Sequence, residues 1–97
     1  ELTKLLPPNG VYATRTKIAS EVFEGITNIG YKPTIGGETR PGVETFLFDL
    51  DRDLYGEILT VSFYGYERPE QKFASLEALK ERIQMDVVWG REYFAGV

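Results

Sequence analysis

The hydrophobic and polar positions of this chain follow two periods. From Val11 to Ile18 the run VYATRTKI is dense in β-branched and aromatic residues, which suit a pleated surface and predict a strand. A turn near Ala19-Ser20 leads into a second such run, about Val22 to Ile29, so the two predict a hairpin. Val43 to Leu50 returns to strand chemistry, and alternation puts Glu44, Phe46, Phe48 and Leu50 on one face. Leu59, Val61 and Phe63 alternate with Thr60 and Ser62, predicting a fourth strand from about Glu57 to Tyr64. Then the period changes. Leu76, Leu79, Ile83 and Val87 recur at spacings of three and four, the stripe of an amphipathic helix over about Leu76 to Phe94. Ser75 stands at the N-cap position, Glu77 suits the positive end of the helix dipole, and Gly90 is a weak point inside it. Strands closed by one helix predict a mainly β fold, a small antiparallel sheet or barrel with the helix packed on it.

Two stretches interrupt the pattern. Pro7, Pro8 and Asn9-Gly10 predict a loop or turn before the first strand. Gly30 to Gly42, with Pro33, Gly36, Gly37 and Pro41, predicts a long loop, and loops of that length often serve function. No internal repeat or low-complexity segment appears.

Size and charge narrow the classes. The 97 residues suit one domain, and 42% hydrophobic with 27% charged residues is ordinary globular composition. Eleven basic against 15 acidic side chains, net charge -4, leave no basic stripe for gripping nucleic acid. No apolar run approaches the ~20 residues of a membrane span, and no signal-peptide pattern opens the chain. A chain without cysteine has neither disulfides nor thiolate zinc sites, which fits a cytoplasmic location. There is also no histidine, which removes Ser-His and Cys-His nucleophiles. Chemistry must rest on carboxylates, Lys, Arg, Tyr, hydroxyls or backbone groups.

Glu44 is a carboxylate on a face shared with aromatic side chains. Either it reaches water near a strand end, or it is partly desolvated with a raised pKa, as a general base requires. Asp49, Asp51 and Asp53 resemble the start of a calcium loop, but Leu54 stands at the glycine position and Thr60 at the closing glutamate, so a solvated turn is expected. Gly36-Gly37 lacks the Gly-Lys-Ser/Thr run of a phosphate loop. Arg68, just before Pro69-Glu70, and Phe73 admit two readings as well. Phe73 packs under the helix start with Arg68 solvated, or the two grip a planar heterocycle by charge and stacking.

Four ordered blocks then carry a resemblance. NIGYKPT, Asn28 to Thr34, is similar to the N-I-G-x-x-P-T signature of bacterial riboflavin kinase domains. VETFLFDLDRDLYGE, Val43 to Glu57, resembles that family's V-E-x-x-L-x-D-x-x-x-D-L-Y-G segment. GYERPEQKFASLEALKERIQMD, Gly65 to Asp86, resembles its ending, and LPPNGVYA its lead into the first strand here. The resemblance covers nearly the whole chain. It implies a six-stranded antiparallel Greek-key barrel with a C-terminal helix, the N-terminal strand missing here, and one domain over residues 1–97. It implies ATP-dependent phosphorylation of riboflavin to FMN with Mg²⁺, commonly in a protein whose preceding FMN adenylyltransferase domain makes FAD. Carried over by position, Glu44 is the catalytic base. Leu47, Asp49 and Tyr55 line the ATP site, and Arg68, Gln71 and Phe73 surround the flavin. Phe46 stands where the family often has histidine.

The family's P-T-A-N motif, whose Thr and Asn hold Mg²⁺ and phosphates, is absent from this chain, so no metal ligand is assigned here and the fragment alone is expected to be a poor kinase. The stretch Gly30 to Gly42 is the candidate lid. The rival from another class is a non-catalytic flavin-binding or regulatory module of a larger FAD synthetase. A purely structural domain is the third.

Overall fold

The computed structural model describes residues 7–33, 39–50, 56 and 58–96. Four antiparallel strands form one open sheet: β1 (Gly10–Ile18), β2 (Glu21–Pro33), β3 (Thr39–Leu47) and β4 (Leu59–Arg68), in the order β3-β2-β1-β4. The helix α1 (Leu76–Ala95) lies on the sheet, touching β2, β1 and β4. The mainly β class with a C-terminal helix holds. The six-stranded barrel is not what the described residues form; they make four strands of an unclosed sheet.

Central β1 is buried along most of its length on both faces, which is why its sequence lacks a clean alternation. One face carries Thr14, Thr16, Ile18 and Thr27, all fully enclosed. There Thr27 shares hydrogen bonds with Thr14 at 3.0 Å and Thr45 at 2.9 Å, so the buried hydroxyls tie β1, β2 and β3 together. On the other face Val11, Ile26 and Phe48 form a core against which Val87 of α1 packs.

The expected loop from Gly30 to Gly42 is mostly a hairpin. β2 runs on to Pro33 and β3 begins at Thr39, with Pro33 opposite Thr39 and Pro41 opposite Tyr31. Pro33 ends its strand and Pro41 lies on an edge strand, the two places where a missing N–H is tolerated. Of the expected lid, residues 34–38 lie outside the described residues. β3 also ends earlier than expected. The Phe48 N–H donates to the Glu24 carbonyl at 2.8 Å and Asp49 turns the chain with a φ of 60°, while Phe48 keeps to the face of Glu44 and Phe46 and packs on Val11 and Ile26 in the core.

The helix begins where expected: the Ser75 hydroxyl accepts from the Ala78 N–H at 3.1 Å. The expected stripe holds in its second half only: Val87 packs on the core and Ile83 faces the sheet, but Leu76 and Leu79 are exposed, and the fully buried positions are Asp86, Gly90 and Phe94. Gly90 explains the choice. A Cβ there would stand 2.9 Å from both Ile26 Cγ2 and Phe48 Cζ, so the expected weak point is the position that lets α1 approach the sheet. No helix among the described residues is long and apolar enough to cross a membrane.

Candidate functional site

Strand register builds the site. Val11 of β1 pairs with Asn28 on one side and Arg68 on the other, while Asn28 pairs with Glu44 of β3. The row across the sheet therefore reads Glu44, Asn28, Val11, Arg68. All four line one hollow of about 120 Å³, with Ile26, Thr45 and Phe46 from the sheet and Ile83 and Asp86 from α1. Residues 24 positions apart in sequence, Glu44 and Arg68, thus reach one cavity through two intervening strands.

A β-bulge aims the cation. The β1–β4 register steps from Val11↔Arg68 to Tyr12↔Tyr66, leaving Glu67 as the extra residue. As a result two consecutive side chains both meet α1. Arg68 donates to Asp86 through Nη2 at 2.7 Å and Nε at 3.0 Å, and Glu67 accepts from Arg82 at 2.9 Å. Arg82 Nε also donates to Asp86 at 3.1 Å. Asp86 is 2% exposed and two guanidiniums surround it, the pairing a buried carboxylate requires. The same bonds hold the Arg68 guanidinium charge firmly, raising its pKa chiefly through the hydrogen bond to Asp86. Burial pushes the Glu67 carboxyl up to about 7, reinforced by hydrogen bonding and repulsion from Asp86 and opposed by Arg82 and Arg68.

The other assigned residues are more scattered. Glu44 is exposed rather than desolvated, because β3 is an edge strand and Phe46 beside it is 55% exposed. Leu47 lines a second hollow of about 270 Å³ with Thr45, Phe46, Leu50 and Leu59, adjoining the first through Thr45 and Phe46. Asp49 lies apart from it, in a hollow of about 280 Å³ with Arg15, Glu24 and Phe48, and is gripped by Arg91 at 3.0 and 3.1 Å. Phe73 is half-buried with its ring centroid 5.9 Å from the Arg68 guanidinium, so the cation and the ring do meet. Gln71 is exposed and lines none of these hollows. Tyr55 lies outside the described residues. No group of three or more acidic side chains converges among the described residues, so they form no all-protein carboxylate cage for a cation.

This geometry stands beside the comparisons with known proteins. A family model described as riboflavin kinase matches residues 1–94. The chain belongs to the riboflavin kinase family. It is 36% identical over 95 residues to the bifunctional riboflavin kinase/FMN adenylyltransferase of Bacillus subtilis (strain 168), covering 96% of this chain and 30% of that protein. The Pseudomonas fluorescens protein of the same description is 43% identical over 86 residues, 89% of this chain and 28% of its own. The chain thus spans under a third of the length of these relatives. A solved structure described as a macrolide-efflux protein from Streptococcus pneumoniae superposes with a TM-score of 0.74 and 27% identity, over 84% of this chain and 26% of that one.

Three further residues are placed here by the fold rather than by pattern. Asp86 enters the sequence reading only as the end of the block from Gly65; a carboxylate four and eight positions before Gly90 and Phe94 is the further signal. Asn28 was read only as part of a motif, although alternation placed it on one face with Ile26. Glu70, whose carboxylate occupies the space a Cβ on Gly30 would need, had no signal at all, since only folding brings the segment after β4 back over β2.

Proposed function

We propose that this chain is the riboflavin-phosphorylating domain of its protein, transferring the γ-phosphate of ATP to the terminal hydroxyl of the ribityl chain to give FMN. What supports the reading, beyond family membership, is the single row that brings Glu44 and Arg68 to one hollow, with the Leu47 hollow adjoining it along β3. The first hollow would take the ribityl end of riboflavin, with Arg68 and Phe73 toward the rings. The second would take ATP, Leu47 lining it.

Phosphoryl transfer asks the protein for alignment and charge balance. As the ribityl oxygen bonds to the γ-phosphorus, the bond from phosphorus to the β-γ bridging oxygen breaks and ADP leaves. The hydroxyl proton passes to the Glu44 carboxylate, a step worth ~10²–10⁴-fold. Glu44 is open to water on its edge strand, and bound substrate would exclude water from it. Mg²⁺ would neutralise phosphate charge in such a transfer. A six-stranded barrel would complete the open sheet at its β3 and β4 edges, and a linked adenylyltransferase domain would account for the greater length of the relatives.

The test is Glu44→Gln in the full-length protein. Single-turnover FMN formation should fall at least a hundredfold while riboflavin affinity stays within a few-fold. Retention of more than about a tenth of the rate would remove Glu44 as the base. Flavin binding without turnover by the wild-type protein would make the domain a flavin-binding module instead.

A further inference from the structure

The hollow contains one polar atom that the protein leaves unanswered. Three buried side-chain atoms among the described residues have no hydrogen-bond partner: Thr16 Oγ1, Glu67 Oε1 and Asn28 Oδ1. Only Asn28 belongs to the lining of the 120 Å³ hollow. Its polar neighbours there are engaged, since Arg68 and Asp86 hold each other and Thr45 pairs with Thr27. A buried amide oxygen without a partner is costly to the folded state, and such groups in native sites commonly await a ligand.

Position narrows the ligand. Asn28 is the direct cross-strand partner of Glu44, and such pairs bring Cβ atoms to about 4.5–5.5 Å. The hollow is smaller than the ~300 Å³ at the low end of small-molecule pockets, so it admits a narrow segment rather than a fused ring system. A polyol segment fits both facts. Its hydroxyls both donate and accept, so one can satisfy the Asn28 amide whichever end it presents.

Resting on the kinase reading above, we infer that Asn28 is a substrate-binding residue that hydrogen-bonds a secondary hydroxyl of the ribityl chain, one or two carbons from the hydroxyl facing Glu44. The contact would hold the chain so that the terminal hydroxyl meets the carboxylate. It would also make the site selective for polyol chains over alkyl ones, because a deoxy carbon leaves the amide buried and unpartnered.

The experiment uses the full-length protein, wild type, Asn28→Val and Asn28→Thr, with riboflavin and its 2′-, 3′- and 4′-deoxy analogues. Asn28→Val should lower kcat/KM for riboflavin about tenfold to a hundredfold while melting no lower than wild type, since it removes an unpartnered polar atom. Asn28→Thr, near-isosteric with Val but bearing a hydroxyl, should recover part of the loss. In the wild type the 3′- or 4′-deoxy analogue should lose a similar factor, and in Asn28→Val that analogue should lose little more. Losses that simply multiply for all three analogues, or no loss in Asn28→Val, would overturn the contact and leave the kinase reading standing. Absence of FMN formation by the wild type would remove both.

Discussion

The two ends of the α1–sheet contact are each joined by an arginine–aspartate pair of good geometry, and the pairs are physically unlike. At the site end Arg68 meets Asp86 at 2.7 Å with side chains 13% and 3% exposed. At the far end Arg91 meets Asp49 at 3.0 Å with side chains 49% and 77% exposed. Water screens the second pair and competes for its partners, so the attraction it adds is small. The first pair has little water to return to. Each charge there depends on the other, and removal of one strands its partner. Distance alone would rank the two ends as near equals; burial separates them. The far end is held instead by rings, with the Arg15 guanidinium 4.8 Å from the Phe94 centroid and 4.9 Å from that of Tyr64.

The largest effect expected from this contrast is at Asp86. Asp86→Ala should destabilise the domain by ~3–5 kcal/mol, because Arg68 loses both its bonds to the carboxylate and keeps a buried charge. Chemical denaturation measures it; a loss under 1 kcal/mol would mean that water already reaches the cluster. Flavin affinity should fall as well, since Arg68 is no longer held over the hollow.

A smaller loss is expected at Gly90, which sets the distance between the two ends. Gly90→Ala gains up to ~1 kcal/mol of helix propensity but forces a methyl to 2.9 Å from Ile26 and Phe48. Overpacking of that kind costs ~1–3 kcal/mol, so a net fall in the melting midpoint is expected. A rise would show that α1 can lift off the sheet without cost.

The next prediction concerns pH. Glu67 has a folded pKa of about 7 against an ordinary 4.5, so the folded state favours the protonated carboxyl. Its stabilising contribution is full below pH 4.5 and is lost as pH rises towards and through 7. Glu67→Gln, which keeps the neutral shape, should remove that decline and melt above wild type at pH 8, by a margin on the order of 1 kcal/mol. Parallel pH profiles of the two proteins would show that Glu67 ionises as it does in water.

The smallest effect is at the exposed pair. Asp49 stands in the left-handed region with a φ of 60°, where asparagine is at ease, so Asp49→Asn removes charge and little else. The Arg91 hydrogen bonds hold the Asp49 carboxyl below its ordinary range, so this pair contributes above that range and is lost in acid. Near neutrality the melting midpoint should stay within about 2 °C of wild type. A drop comparable to that of Asp86→Ala would erase the contrast between the two ends.

Local pattern by itself determined the class of this fold. Alternation in Leu59 to Phe63, the β-branched run from Val11 to Ile18 and the Ser75 cap each act within a few residues, so strands and helix were legible without knowledge of what packs where. The motif around Glu44 and the stretch from Arg68 to Phe73 were legible too, through their resemblance to a family. Tertiary structure decided the rest, because the deciding contacts are between residues far apart in the chain. Prolines read as loop because their missing N–H is costly in a sheet, yet at a strand end and on an edge strand it costs nothing. Leu76 and Leu79 read as core because periodicity reports which residues share a face, not whether the sheet reaches that part of the helix. And the bulge at Glu67 turned two consecutive side chains toward α1, giving Arg68 its partner Asp86 and leaving Asn28 unanswered in the hollow between Arg68 and Glu44.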